Sequence, residues 1–222
     1  MACAAALAQQ PSRPLVIELY TSQGCSSCPP AEALLGELAD RTDVLPLAFH
    51  VDYWDDLGWR DRFALPAAAQ QQHWWATANG LPGVFTPQLI IDGRRSVVGL
   101  DRAAVIAALR EPRTTVAVQA VLRDGVVQVS VPERSTTEVY DVYAIAYLSR
   151  AETVVPRGEN AGRTLTEWNI VRSWRRLGVS RGAAAVFTVA QAALPADATR
   201  VAIVLQDARR GGIAGAMVVK LQ

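Results

Sequence analysis

The chain has 222 residues, half of them hydrophobic and 19% charged, so it can bury a sizeable core and is too apolar for a disordered chain. Formal net charge is +1, without the basic excess or stripe of a nucleic-acid binder. No stretch approaches the roughly 18–20 continuous apolar residues of a membrane helix, so no spanning segment is expected.

The first residues read as the remnant of an export leader over 1–13. Ala6-Leu7-Ala8 fits the small-x-small pattern before a signal-peptidase cut, and Gln9-Gln10-Pro11 fits a mature start. The expected location is therefore periplasmic or secreted. Cys3 would leave with the leader, and the remaining pair, Cys25 and Cys28, has C-x-x-C spacing. A disulfide closing so short a loop restricts the unfolded chain little, which weakens a purely structural reading.

Leu15 to Tyr20 is a β-prone run, and Thr21-Ser22-Gln23-Gly24 a turn. Cys25-Ser26-Ser27-Cys28-Pro29-Pro30 leads into a helix through Ala39, because proline is tolerated in a first helical turn. Val44 to Val51 is a second strand. A long aromatic segment follows, about 52–80, with a helix over Ala67 to Ala78 that Gly80 stops. Pro87 to Ile91 and Arg95 to Val98 form a hairpin around Asp92-Gly93. Asp101 caps a helix through Leu109.

Glu111-Pro112-Arg113 reads as a boundary between domains 14–112 and 113–222. Beyond it the predicted elements are strands: a hairpin over Val116 to Leu122 and Val126 to Val131, a strand over Val139 to Leu148, and a last pair over Val201 to Leu205 and Met217 to Leu221. Leu165 to Leu177 fits either period and is read as a strand from its neighbours. The fold class is thus α/β followed by an all-β, sandwich-like domain.

A C-x-x-C pair that follows a strand and opens a helix points to redox chemistry. Thiolate is the reactive species, and a helix N-terminus offers free amides and partial positive charge to stabilise it. Cys25 is the expected exposed nucleophile and Cys28 the resolving thiol. Glu18, in the first strand, is either a proton relay to Cys28 or a strand residue facing solvent or in a salt bridge. Asp52, Tyr53, Trp54 and Asp55, with Asp56 and Trp59, either line a substrate groove or pack the insertion. Cys25, Cys28, His50 and His73 have the donor chemistry of a copper or zinc site, although the histidines lack ligand spacing. Gly158-Glu159-Asn160-Ala161-Gly162-Arg163 reads as a turn, with anion binding or docking on the first domain as alternatives.

Strand, C-x-x-C, helix, then Thr86-Pro87, strand, Asp-Gly, strand and helix resemble the thioredoxin superfamily. That resemblance implies a cis Pro87 beside the cysteines, and a Thr86 backbone that pairs with an extended substrate. The strings Ile-Glu-Leu-Tyr-Thr-Ser-Gln-Gly-Cys-Ser-Ser-Cys-Pro-Pro-Ala-Glu (17–32), His-Val-Asp-Tyr-Trp-Asp (50–55), Phe-Thr-Pro-Gln (85–88) and Gly-Glu-Asn-Ala-Gly-Arg-Thr-Leu (158–165) resemble the secreted bacterial domain of unknown function 1223 family. This implies an exported thioredoxin-like protein with a β-rich C-terminal part. The expected function is thiol–disulfide exchange with a protein or small-molecule thiol or disulfide partner, without cofactor, nucleic acid or membrane span. The alternatives are a binding module on an inert scaffold and a metal carrier.

Overall fold

The computed structural model describes residues 13–222, so the leader assigned to the first residues lies outside the described residues except for Arg13. Arg13 belongs to the fold. It is buried, makes a two-pronged ion pair to Asp92 at 2.7 and 2.6 Å, and donates to Ile213 O and Thr114 O.

The N-terminal region is mixed α/β and thioredoxin-like. Strands β1 (Leu15–Thr21) and β2 (Val44–His50) run parallel, and β3 (Gln88–Ile91) and β4 (Arg95–Val98) add antiparallel beside β1. Helix α1 (Pro29–Ala39) and helix α3 (Arg102–Leu109) pack on one face against Leu15, Ile17 and Leu19. Helix α2 (Pro66–Ala78) covers the other face, with Trp75 against Val16 and Tyr20. Period-two alternation therefore puts Glu18 on the α2 face, with Val16 and Tyr20.

The C-terminal region is β-rich and sandwich-like. Strands β5 (Gln119–Arg123), β6 (Val126–Val131) and β9 (Ala185–Ala190) make a small sheet. It packs on β7 (Tyr140–Val155), β10 (Arg200–Asp207) and β11 (Ile213–Lys220) through Val127, Val129, Val142, Ala144, Val201 and Ile203. The stretch read as ambiguous is a strand, β8 (Arg163–Ser180). Strands β7 and β8 form a hairpin of 16 and 18 residues, far longer than the sequence suggested, because β7 continues through a polar stretch to Val155.

One eight-stranded sheet joins the two regions in the order β11-β10-β7-β8-β2-β1-β3-β4. The joint is the parallel contact of β2 with β8, where Ala48 faces Ile170. Pro46 limits that ladder. Its carbonyl faces β8 and accepts Asn169 Nδ2 at 2.9 Å, and on that same side proline has no N–H to give. A shared apolar layer under α2 runs from Val16 and Phe49 to Ile145, Tyr147 and Val204. No helix among the described residues is long and apolar enough to cross a membrane.

Candidate redox site at the strand-to-helix turn

Cys25 and Cys28 are joined by a disulfide, with Cα atoms 5.4 Å apart. Cys28 is the N-cap of α1, and Pro29 and Pro30 fill the first two helical positions. This changes the expected electrostatics. Both prolines remove N–H groups that a helix start otherwise offers, and the Ala31 and Glu32 amides are already turned to Cys28 O at 2.9 and 3.1 Å. The contact to Cys25 Sγ comes instead from the Ser27 hydroxyl, at 3.4 Å.

Both cysteines are buried, Cys25 at 0% and Cys28 at 1% exposure, whereas an exposed Cys25 was expected. The cover comes from the far end of the chain. The β7–β8 hairpin carries Gly158–Arg163 at its tip, and this segment straps the cysteine turn. Asn160 Nδ2 donates to Gln23 O and Cys25 O, both at 3.0 Å, and Ser26 N donates to Glu159 Oε2 at 3.0 Å. Those Ser26 bonds hold the Glu159 carboxyl below its usual range. Arg163 Nη1 donates to Asn160 Oδ1 at 3.0 Å and fixes the amide. The segment is therefore a dock on the first region rather than a free turn.

The Thr86–Pro87 peptide is cis. Gly99 is what lets Pro87 seat against the start of α1: a Cβ there would lie 2.6 Å from Pro87 Cβ and 2.9 Å from Ala31 Cβ. Trp54 Nε1 donates to Thr86 Oγ1 at 2.9 Å, and Trp54 also packs on Gly24, beside Cys25. Of the aromatic-acidic group, Trp54 alone is tied to both motifs. Tyr53 donates to Gln72 Oε1 at 3.2 Å, and Asp55 accepts the Asp61 amide at 3.0 Å. Asp52, Asp55 and Asp56 line a separate hollow with Arg60 and Arg62.

Glu18 does not share the cleft beside Cys28. It is buried on the α2 face, where burial first and Asp92 second push its carboxyl up to about 8. The acid of that cleft nearest to Cys28 in sequence is Glu32, one helical turn on, where helical side chains point back toward the N-terminus; Glu37, Asp40 and Glu167 also line the cleft. This cleft of about 660 Å³ is lined by Cys28, Glu32, His50, Glu167, Leu165 and Trp168 among others. Gly36 leaves room for the Trp168 indole on α1.

A buried polar cluster closes its inner end. His50 Nδ1 bonds Asp61 Oδ2 at 2.7 Å. Gln23 Nε2 donates to Glu167 Oε1 at 2.8 Å and Thr153 Oγ1 at 3.1 Å, Thr153 donates to Glu167 Oε2 at 2.8 Å, and Trp59 Nε1 donates to Gln23 Oε1 at 2.9 Å. Burial alone would lower the His50 value, but Asp61, Glu32 and Glu167 together hold it up at about 9. Burial raises Glu32 to about 7, with His50 pulling back and Glu167 pushing further up. Thr21 lowers the Glu32 value slightly and so favours its charge, although neither its hydroxyl nor either Glu32 oxygen completes a hydrogen bond. Asp61 stays below its usual range despite burial, because His50 and the amides of Gln23 and Phe63 favour its charge.

His73 lies exposed on α2, across the sheet from His50, so the Cys2His2 set is not assembled. Sequence reasoning missed Gln23, Glu32, Asp61 and Glu167 as members of the site, and read Asn160 within a turn with docking on the first domain as an alternative. Glu32 alone carried a local signal, four residues after Cys28.

The profile of a family described as "Protein of unknown function (DUF1223)" matches residues 16–206. The chain belongs to the DUF1223 family. Protein AGR_C_4864 from Agrobacterium tumefaciens, known from a crystal structure, is 28% identical, with a TM-score of 0.81 over 96% of this chain and 99% of that one. HBP35 of Porphyromonas gingivalis is 13% identical, with a TM-score of 0.67 over 95% of this chain and 76% of that one, a likeness of fold alone. Among curated proteins nothing matches. DUF1223 membership and the thioredoxin-like N-terminal region thus agree with the resemblance that the motifs carry.

Proposed function

We propose that this DUF1223 protein is an exported thiol–disulfide oxidoreductase. The observation that supports it is the Cys25–Cys28 disulfide at the strand-to-helix turn of a thioredoxin-like fold. In the reduced form, Cys25 attacks a substrate disulfide as thiolate, releasing one substrate thiol. Cys28 then attacks the Cys25 sulfur, releases the second thiol and restores the Cys25–Cys28 bond. Electrons pass from the cysteine pair to the substrate, and a substrate dithiol drives the reverse. Ser27 donates to the Cys25 thiolate where Pro29 and Pro30 have removed amides, and the proline-flanked groove with Trp54 receives the substrate chain. Replacing Cys28 with Ala should leave the mixed disulfide on Cys25, seen as a mass adduct when a disulfide is added, with one thiol released per adduct. A variant that forms no adduct with an added disulfide contradicts this reading.

Full burial of both cysteines favours a second reading, a binding module in which the closed disulfide only braces the turn. In that case the Cys25→Ser, Cys28→Ser protein keeps its biological activity.

A further inference from the structure

Besides the Thr21 hydroxyl, three buried atoms at the inner end of the cleft have no partner: His50 Nε2 and both oxygens of Glu32. They are close together. Glu32 Oε1 and Glu167 Oε1 each stand 3.9 Å from His50 Nε2. His50 is 1% exposed and Glu32 6%. Buried polar atoms nearly always have a partner, so three orphans side by side call for one.

Their chemistry selects a cation. Asp61 accepts a hydrogen bond from His50 Nδ1–H at 2.7 Å, so Nε2 is the ring nitrogen left for a cation, which binds there by displacing the Nε2 proton that the surrounding carboxylates hold on the ring up to about 9. Both Glu32 oxygens and Glu167 Oε1 are lone-pair donors as well. Three carboxylates gather around one imidazole, and Arg150, the one basic chain lining the cleft besides His50, is paired with Glu152 at 2.5 Å. We propose that His50, Glu32 and Glu167 bind one divalent transition-metal cation, with Zn²⁺ as the matched probe. One imidazole and two carboxylates suit such an ion.

The surroundings are those of a supported ligand set. Asp61 orients His50, as a carboxylate commonly does for a metal-bound imidazole. Gln23 and Thr153 hold Glu167, and Trp59 holds Gln23. Among the described residues no three such donors already converge at bonding distance. Ligands at about 2.0–2.1 Å from a tetrahedral ion lie roughly 3.3 Å apart, so the 3.9 Å spacings must close by about half an ångström. Rotation of two glutamate side chains supplies that. The cleft, which Cys28 also lines, gives an entry path.

The test is Zn²⁺ titration calorimetry at pH 8 on the untagged, oxidised full chain, whose cysteines are tied up in the disulfide. One equivalent of Zn²⁺ should bind. Glu32→Gln should weaken binding at least 100-fold, Asp61→Asn about 10–100-fold, and His73→Ala not at all. X-ray absorption on the Zn²⁺-loaded wild-type protein keeps the proposal testable if a variant fails to fold. Imidazole plus oxygen ligands without sulfur supports it. Absence of stoichiometric binding, an adventitious surface ion lost with His73→Ala, or a sulfur ligand overturns it.

Discussion

The two regions contribute differently to one site. The thioredoxin-like region supplies the sulfur atoms, Ser27, Pro87 and Trp54, all from segments that follow β1 and β2 or precede β3. The β-rich region supplies no sulfur. It supplies Asn160 and Glu159, which strap the cysteine turn, and Glu167 and Thr153, which close the polar cluster. A thioredoxin-like site usually presents its first cysteine at the surface, and here a hairpin tip from the other region buries it. The two cysteines are thus local in sequence, whereas their cover comes from more than 130 residues away, the separation of Ser26 and Glu159 being 133.

The sharpest break of this comparison removes the sulfur. Cys25→Ser should abolish exchange entirely, while Cys28→Ala should retain the first step and accumulate a covalent adduct, read by mass after alkylation.

A large effect on stability should localise to the thioredoxin-like region. Glu18 has a folded value of about 8 against 4.5 for the free group, so the native state holds a proton that the unfolded chain has lost between those values. Its contribution is complete below about pH 4.5 and is lost as pH rises through about 8, on the order of 3–5 kcal/mol in all. Chemical denaturation from pH 5 to 9 should show that decline, and Glu18→Gln should flatten it. An unchanged slope in the variant would assign the decline to other groups.

Asn160→Ala tests the strap. Two hydrogen bonds to the cysteine turn are worth about 1 kcal/mol each, so dithiothreitol should reduce the disulfide roughly ten- to thirtyfold faster. Equal rates would mean that the hairpin tip does not limit access. The smallest expected effect is that of Ser27→Ala. Loss of one hydroxyl donor, worth about 1 kcal/mol, should destabilise the Cys25 thiolate of the reduced protein, read as roughly fivefold slower alkylation at pH 6.

The legible parts of the molecule were those with local signals. Cys25-x-x-Cys28 before a two-proline helix start, Thr86-Pro87 before a strand and Asp92-Gly93 in a hairpin are contiguous strings, and each sits where it was placed. Asp101 caps its helix by accepting from Ala104 N at 2.9 Å, as its position before the apolar run indicated. The strap and the cluster were not legible, because Asn160 and Glu167 acquire their neighbours only when β8 crosses to β2. That crossing depends on one short parallel contact and on Asn169 Nδ2, which donates to the Pro46 carbonyl. Glu18 shows the opposite error. Closeness to the cysteines in sequence suggested a relay, and strand alternation turned the side chain to the other face.

The central claim is that the buried Cys25–Cys28 pair is a working redox couple. A titration of the protein in dithiothreitol or glutathione buffers, with thiols counted by alkylation and mass, tests it most directly. The account predicts a midpoint between about −120 and −270 mV, among thiol oxidoreductases. A midpoint well below about −300 mV would mark a structural disulfide and contradict it.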